Sequence, residues 1–405
     1  MSSNDHHLPT PIKMKYFTPG TKIIFAVMVA GIGAYIYRLI FGLQAATNLN
    51  DQYPWGIWIG IDVASGVALA AGGFTSALLA DVFHKEKYHV IVRPALLTAM
   101  LGYTFVVIGL LADLGRYYNV WHPMLPSMWQ GNSVLFEVGI CVMIYLNILY
   151  IEFLPIVAER FKGRVNLPGA LARLNGFFES ILSVADRTLG RFISLFIIAG
   201  VTLSCLHQSS LGTLMVIAEP KMSHLWWTPI SPLLFLVSAI AVGYPMVIFE
   251  SIIASRSFGL KPEMHVLSSL AGYTPVLLGI YLALKIGDIN TREAWPLVFA
   301  GNTQSLLWIL EIAMGVVIPL VMLLSHRIRH SVGGLFTAAT LVVLGVVLNR
   351  INVFLVAYTP LYGKTSYFPS IFEIMLTVGL IAALVLVYRA IVMIFPVISV
   401  PAAER

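Results

Sequence analysis

Apolar residues run through this chain in long blocks separated by short polar stretches. Ten blocks lie near 21–43, 55–80, 91–112, 133–155, 190–208, 231–254, 266–284, 303–324, 333–349 and 369–395. Each approaches the ~20 residues that carry an α-helix across a hydrocarbon core. The pattern predicts an all-α fold, a polytopic membrane bundle of about ten transmembrane helices forming one integral membrane domain over 1–405. A polar tail occupies 1–20, and the first block after it carries Arg38 and is too long for a signal-peptide core, so it reads as an uncleaved first helix. In the connection 156–191, LARLNGFFESILSVADRTLGRF mixes apolar and charged residues at helical spacing. That stretch is expected to lie along the membrane interface.

Charge fixes the direction of threading. Of the 25 Lys and Arg residues, 18 fall on the side of the two termini, 6 on the other side, and Arg38 within the first span. The positive-inside rule therefore places both termini in the cytoplasm. Only 11% of the residues are charged and 58% are hydrophobic, against about a quarter charged in soluble domains. Lipid is the expected surrounding, and no basic run interleaved with aromatics speaks for nucleic acid.

Several chemistries are excluded by what is missing. Cys141 and Cys205 both sit inside spans, so neither an iron–sulfur cluster nor a disulfide framework can be built from them. A membrane-embedded b-type haem needs paired axial histidines, and of ten histidines only His207 lies in or against a span. No haem and no metal site is expected, and there is no P-loop, HExxH or GxSxG motif.

The buried polar residues carry the functional signal, because a carboxylate deep in a span costs about 2.5–3.5 kcal/mol on insertion scales. Asp62 lies in YPWGIWIGIDVASG, roughly 10 Å below Trp55 at ~1.5 Å per residue, with no basic residue nearby in sequence. Gly66, Ala70, Gly73 and Ala77 form a small-residue face on the same helix, which close packing explains. The third span ends in Asp113 and Arg116, i,i+3 neighbours that either pair with each other or serve a ligand. Tyr103 lies ten residues deeper. In the fourth span Glu137, Cys141, Tyr145 and Glu152 share one helical stripe, with the two carboxylates ~22 Å apart along the axis. That arrangement suits a proton path, and helix–helix hydrogen bonding is the alternative. His207 closes the fifth span, expected near the outer surface and a turn or two above Asp62. Glu250 follows Tyr244-Pro245 in the inner half; Glu311, Asn349-Arg350 and Glu373 occupy the last three spans.

The strings YPWGIWIGIDV, RPALLTAMLGYTF, DLGRYYNVWHP, NSVLFE, LHQSSLGTL and YFPSIFEI together resemble the HybB branch of the NrfD/polysulfide-reductase membrane-subunit family, across nearly the whole chain. The resemblance implies a haem-free helical protein of the bacterial inner membrane that binds menaquinone or ubiquinone near the periplasmic surface. It also implies a periplasmic ferredoxin-like iron–sulfur subunit as electron donor, and the large and small subunits of a nickel–iron hydrogenase as further partners. A quinone reduced by two electrons takes two protons, so its oxygens need donors and a proton exchanger. Asp62, Asp113, Arg116 and His207 are the head-group candidates. Tyr103, Glu137, Tyr145, Glu152 and Glu250 are the candidates for proton delivery.

Two other classes fit parts of the pattern. A secondary transporter also buries carboxylates, but no inverted repeat stands out and the polar residues collect in the outer half rather than at the midplane. A passive anchor accounts for ten spans and leaves the buried carboxylates without a reason.

Overall fold

The computed structural model describes residues 8–166, 169–184, 190–362 and 366–400. Ten helices in it are long and apolar enough to cross a membrane. They are α1 (Pro19–Phe41), α2 (Trp58–Val82), α3 (Glu86–Asp113), α4 (Val134–Phe161), α5 (Phe192–Ile217), α6 (Ser231–Phe258), α7 (Met264–Thr291), α8 (Thr303–Leu324), α9 (Val332–Val356) and α10 (Ile371–Ile394). Local chemistry starts several of them. Thr18 and Thr21 form a capping box at α1, with Pro19 in its first turn. Ser370 and Glu373 do the same at α10. Each box satisfies backbone N–H groups that a helix start otherwise leaves unpaired.

Three helices outrun the apolar blocks that announced them: α5 continues to Ile217, α7 to Thr291 and α9 to Val356. In α5 and α9, polar residues that look like a helix end are spent on interhelical bonds. Gln208 Nε2 donates to Val67 O at 2.8 Å and Ser210 Oγ to Glu137 Oε1 at 2.8 Å. Lys285 and Arg350 therefore lie inside spans, not in loops, and both are buried.

The helices pack as two four-membered groups, α2–α5 and α6–α9, joined where α6 packs on α5 and α2 and where α9 meets α2. The α1–α10 pair clasps the first group through α3 and α2. Between helices in lipid, small residues supply close approach where the hydrophobic effect supplies little. A Cβ at Gly31 would stand 2.4 Å from the Gly379 Cα, so this crossing of α1 over α10 admits only glycine. The small-residue face of α2 packs on α3, Gly73 against Ala99 and Ala70 against Gly102.

The chain ends meet on one side, as an even number of crossings requires. Leu8–Pro9 pairs antiparallel with Ser399–Val400, and Arg389 donates to the carbonyls of Tyr16 (3.2 Å) and Lys15 (2.9 Å). In the connection after α4, Asn175–Val184 is a helix with Leu182 buried. Its Phe177, Phe178, Ile181 and Val184 are exposed. Residues 1–7 of the tail, with 167–168 and 185–189 of the connector, lie outside the described residues. On the far side Glu373 gathers the loops, accepting from Asn48 N (3.0 Å), Ser370 N (2.8 Å) and the Tyr367 hydroxyl. Burial, and then the Glu373 carboxylate, raise the Tyr367 phenol far above its ordinary value, so it remains a donor.

Candidate functional site

Asp62 sits on a widened turn. Residues Trp58–Ser65 form a π-helix, a geometry that recurs at functional sites because it releases backbone groups and re-aims side chains. The Asp62 side chain is buried and its Oδ2 accepts a 2.6 Å bond from Thr377 Oγ1 of α10. Opposite it stands Gly109 of α3, where a Cβ would come within 2.8 Å of the Asp62 Cβ. Among the described residues no Lys, Arg or His forms an ion pair with it.

His207 is completely enclosed. Its Nδ1 lies 2.7 Å from the Leu203 carbonyl and its Nε2 2.5 Å from the Tyr103 hydroxyl. A carbonyl only accepts, so Nδ1 carries the hydrogen and Nε2 accepts from the phenol. The Tyr103 ring meets Tyr145 edge-on, with centroids 4.7 Å apart, and Tyr145 lies 5.9 Å from the imidazole. Three residues assigned from sequence to two separate roles thus form one cluster.

That cluster lies deeper than the sequence suggests. Tyr103 is six residues further into the membrane than Gly109, which abuts Asp62, a drop of ~9 Å. His207, bonded to Tyr103, therefore sits below Asp62 rather than above it. The apparent span end at LHQSS is misleading because α5 carries its polar residues inward and runs on to Ile217.

The stripe on α4 faces α5. From the far side inward, Glu137 accepts from Ser210, Tyr145 packs beside His207, and Glu152 Oε1 lies 3.6 Å from where a side chain at Gly200 would begin. The stations differ in surroundings. Glu137 is exposed at the rim. Glu152 and Tyr145 line a cavity of about 240 Å³ that also touches Asp81 and Arg93, on the side of the chain termini. Glu250 is apart from this group. It neighbours Thr98 and Tyr388, and Glu250 Oε1, Thr98 Oγ1 and Tyr388 OH are buried without a protein hydrogen bond among the described residues. Tyr388 lines another cavity on the terminus side, of about 400 Å³.

The four head-group candidates do not converge on one point. Asp62 and His207 occupy two depths of the interior. Asp113 Oδ1 is buried without a hydrogen bond, and its charged neighbours are Arg38 and Glu373. Of the two alternatives for Asp113 and Arg116, the mutual pair is absent among the described residues, because α3 stops at Asp113 and Arg116 lies beyond it, exposed. Arg38 instead caps the end of α3, donating to the Ala112 carbonyl and, at 2.6 Å, to the Leu114 carbonyl. Sequence reasoning missed Thr377 and Gln208. Both are uncharged, and only their hydrogen bonds single them out.

Comparison with known proteins agrees with this architecture. Residues 45–361 match the family described as polysulphide reductase, NrfD. The chain is 33% identical over 396 residues to the probable Ni/Fe-hydrogenase 2 b-type cytochrome subunit of Escherichia coli, covering 97% of this chain and 95% of that one. It is 23% identical to a selenate reductase subunit of Mesobacillus selenatarsenatis, over 96% of this chain and 95% of that one. It is 24% identical to the integral membrane subunit of menaquinone reductase from Nitratidesulfovibrio vulgaris, over 85% of this chain and 84% of that one.

Proposed function

Because this chain belongs to the polysulphide reductase NrfD family of membrane subunits, we propose that it is the quinone-reactive membrane subunit of a hydrogenase complex. In this reading a periplasmic ferredoxin-like iron–sulfur subunit, itself served by the large and small subunits of a nickel–iron hydrogenase, delivers electrons. Menaquinone or ubiquinone receives them in the bacterial inner membrane, and protons are taken up from the cytoplasm. Hydrogenase and menaquinone-reductase subunits among the relatives support it.

The observation that carries the reading is the Tyr103–His207 bond set edge-on against Tyr145, which lines a cavity. Quinone reduction consumes two protons for each electron pair, so donors must be replenished as they are used. Tyr103 holds a proton toward His207 Nε2, and the Leu203 carbonyl fixes the ring tautomer. Tyr145 connects that pair to Glu152, which reaches water through the cavity beside Asp81 and Arg93. Asp62, closer to the far side and held by Thr377, is the second proton-bearing group near the head-group region, with Asp113 and Arg116 lining its approach. Glu137 stands at the outer rim of the same stripe. Glu250 has its own aqueous approach past Tyr388.

Haem does not fit the residues present. His207 is the one buried histidine among the described residues, and both of its ring nitrogens are engaged. The proposed proton and electron path uses no such group, despite the name carried by the Escherichia coli relative.

A second reading changes only the electron donor. The selenate reductase and menaquinone reductase relatives favour a quinone-reactive subunit of another respiratory oxidoreductase of this family. One experiment tests the site under both. In the purified complex, Asp62→Asn and His207→Ala should abolish quinone reduction, while reduction of a soluble dye that draws electrons upstream of the membrane persists. Loss of both activities at normal assembly would make the residues structural. Loss of neither would place the quinone elsewhere.

A further inference from the structure

The α6–α9 half of the bundle holds a second group of buried charges that the chemistry above does not use. Glu311 of α8 accepts three hydrogen bonds, from Trp226 Nε1 (2.8 Å), Asn349 Nδ2 (2.7 Å) and Asn352 Nδ2 (2.8 Å). Arg350 of α9 donates from Nη1 to Asn349 Oδ1 at 2.6 Å and from Nη2 to Ser238 Oγ at 2.9 Å. Its guanidinium lies 3.9 Å from the Phe235 ring centre. Its Nε, by contrast, has no hydrogen-bond partner among the described residues. Lys285 of α7 is 3% exposed, and no hydrogen bond to its amine is formed among the described residues.

Packing alone gives no account of that lysine. A buried ammonium without a partner is among the more costly things a bilayer-spanning fold can hold, and an apolar residue would fill the same space. One small cavity adjoins it, and a second lies beyond Tyr281 and Asn349. The first, about 10 Å³, is lined by Lys285, Tyr281, Asn349 and Arg350. The other, about 20 Å³, reaches from Tyr281 and Asn349 to Glu311. The first has room for about one water at most and the second for about one or two, and neither could take a quinone.

Toward the far side the next charged residue of α7 is Asp288. Asp288, one turn beyond Lys285 on α7, is held by Arg292 through Nε (3.0 Å) and Nη2 (2.5 Å) and by Thr228 Oγ1 (2.5 Å). Arg292 also donates to the His224 carbonyl at 2.6 Å. Arg292 and His224 line a surface pocket of about 360 Å³. The charged groups acting on Lys285 are Glu311, Asp288, Arg292 and Arg350, with the Tyr281 phenol lining the same cavity.

We propose that this chamber is a proton-exchange site open to the far side, with Lys285 as the group that loads and unloads. In the unloading step the Lys285 ammonium passes one proton through chamber water to the Asp288 carboxylate, leaving a neutral amine and a neutral acid. Asp288 then gives that proton to water in the surface pocket and regains its pair with Arg292. The reverse steps reload the amine. Glu311 faces the amine across the cavities and senses its charge. The site lies in the half that does not contain Tyr103 and His207. Since α6 and α9 pack on α2, its charge bears on the first site from behind. Its link to quinone turnover rests on the function proposed above.

The test uses the whole complex and two readouts. A pH-jump infrared difference spectrum should contain a carboxyl signal that vanishes in Glu311→Gln. That signal should be lost in Lys285→Met and in Lys285→Arg, the latter keeping the charge and bulk in place but not releasing its proton at these pH values. In proteoliposomes the same variants should lose outward proton release per electron pair, while quinone reduction with a protonophore continues. An unchanged infrared signal and unchanged proton release in an assembled Lys285→Arg complex would overturn the proposal. So would a melting temperature raised by chloride and not by gluconate, which would assign the chamber to a small anion. If the wild-type complex fails to reduce quinone, the function proposed above falls, and the infrared result still decides this one.

Discussion

Glu137 and Glu152 look equivalent in the sequence, two carboxylates on one face of one helix, and their surroundings make them unequal. Glu137 is exposed and accepts one hydroxyl from Ser210, a bond that glutamine can still accept through its carbonyl oxygen. Glu152 borders the cavity that meets Tyr145, and there the titratable proton is the useful property. Glu152→Gln should slow quinone reduction of the complex by about 10²-fold, as expected when a positioned proton carrier is removed. Glu137→Gln should slow it much less, with assembly normal in both. The rate is measured under saturating quinone, and equal effects of the two changes would dissolve the distinction. At this scale the sequence is informative about which residues are unusual and poor about who their partners are. Tyr103, Tyr145 and His207 are each visible in it, yet their meeting depends on how α3, α4 and α5 are set against one another. The sequence also suggests too shallow a depth for His207, since a polar run at the end of an apolar block has the same appearance whether it caps a helix or bonds to its neighbours.

Helices are where hydrophobic pattern serves best, because ~20 apolar residues in lipid leave the backbone few alternatives to an internally bonded helix. All ten spans are legible for that reason. The ends of α5, α7 and α9 are not, and with them goes Lys285, which counts as a loop residue on composition and lies within α7. The π-turn at Asp62 is equally hidden, since nothing in WIGIDVAS distinguishes a widened turn from an ordinary one. The crossing of α1 over α10 is a sharper case, with Gly31 and Gly379 too close for any side chain. Gly379→Leu should force the two helices apart and lower the melting temperature of the detergent-solubilised protein, by overpacking worth about 1–3 kcal/mol or more. An unchanged melting curve would mean that this contact carries no stability.

Across the whole molecule the two halves divide the polar residues between them. The first, α2–α5, holds Asp62, the Tyr103–His207 pair and the Glu152 cavity; the second, α6–α9, holds the Glu311–Arg350 group. The even number of spans and the preponderance of basic residues on the terminus side are both available from sequence. The division into halves is not, because it is a matter of which helices touch. One expectation belongs to the entire chain. The purified subunit should show no b-type haem absorption, since its buried histidine has both nitrogens engaged. A stoichiometric haem spectrum from a pure preparation would refute it and unseat the roles given to His207 and Tyr103.

The glycine crossing also bears on how the protein is made. Of the ten spans, α1 leaves the ribosome first and α10 last, so α1 enters the bilayer without the neighbour its Gly31 groove is shaped for. Until α10 arrives, Asp62 lacks the Thr377 hydroxyl and Trp58 lacks the Glu373 carbonyl it donates to at 3.1 Å. Nine helices can be threaded and the bundle still be open along one seam, with an acidic side chain unsealed beside it. Closure of the ten-helix bundle is thus registered at α10. A chain stopped before Ile371 should insert normally but be cleared by membrane proteases, and α10 supplied as a separate polypeptide should rescue it.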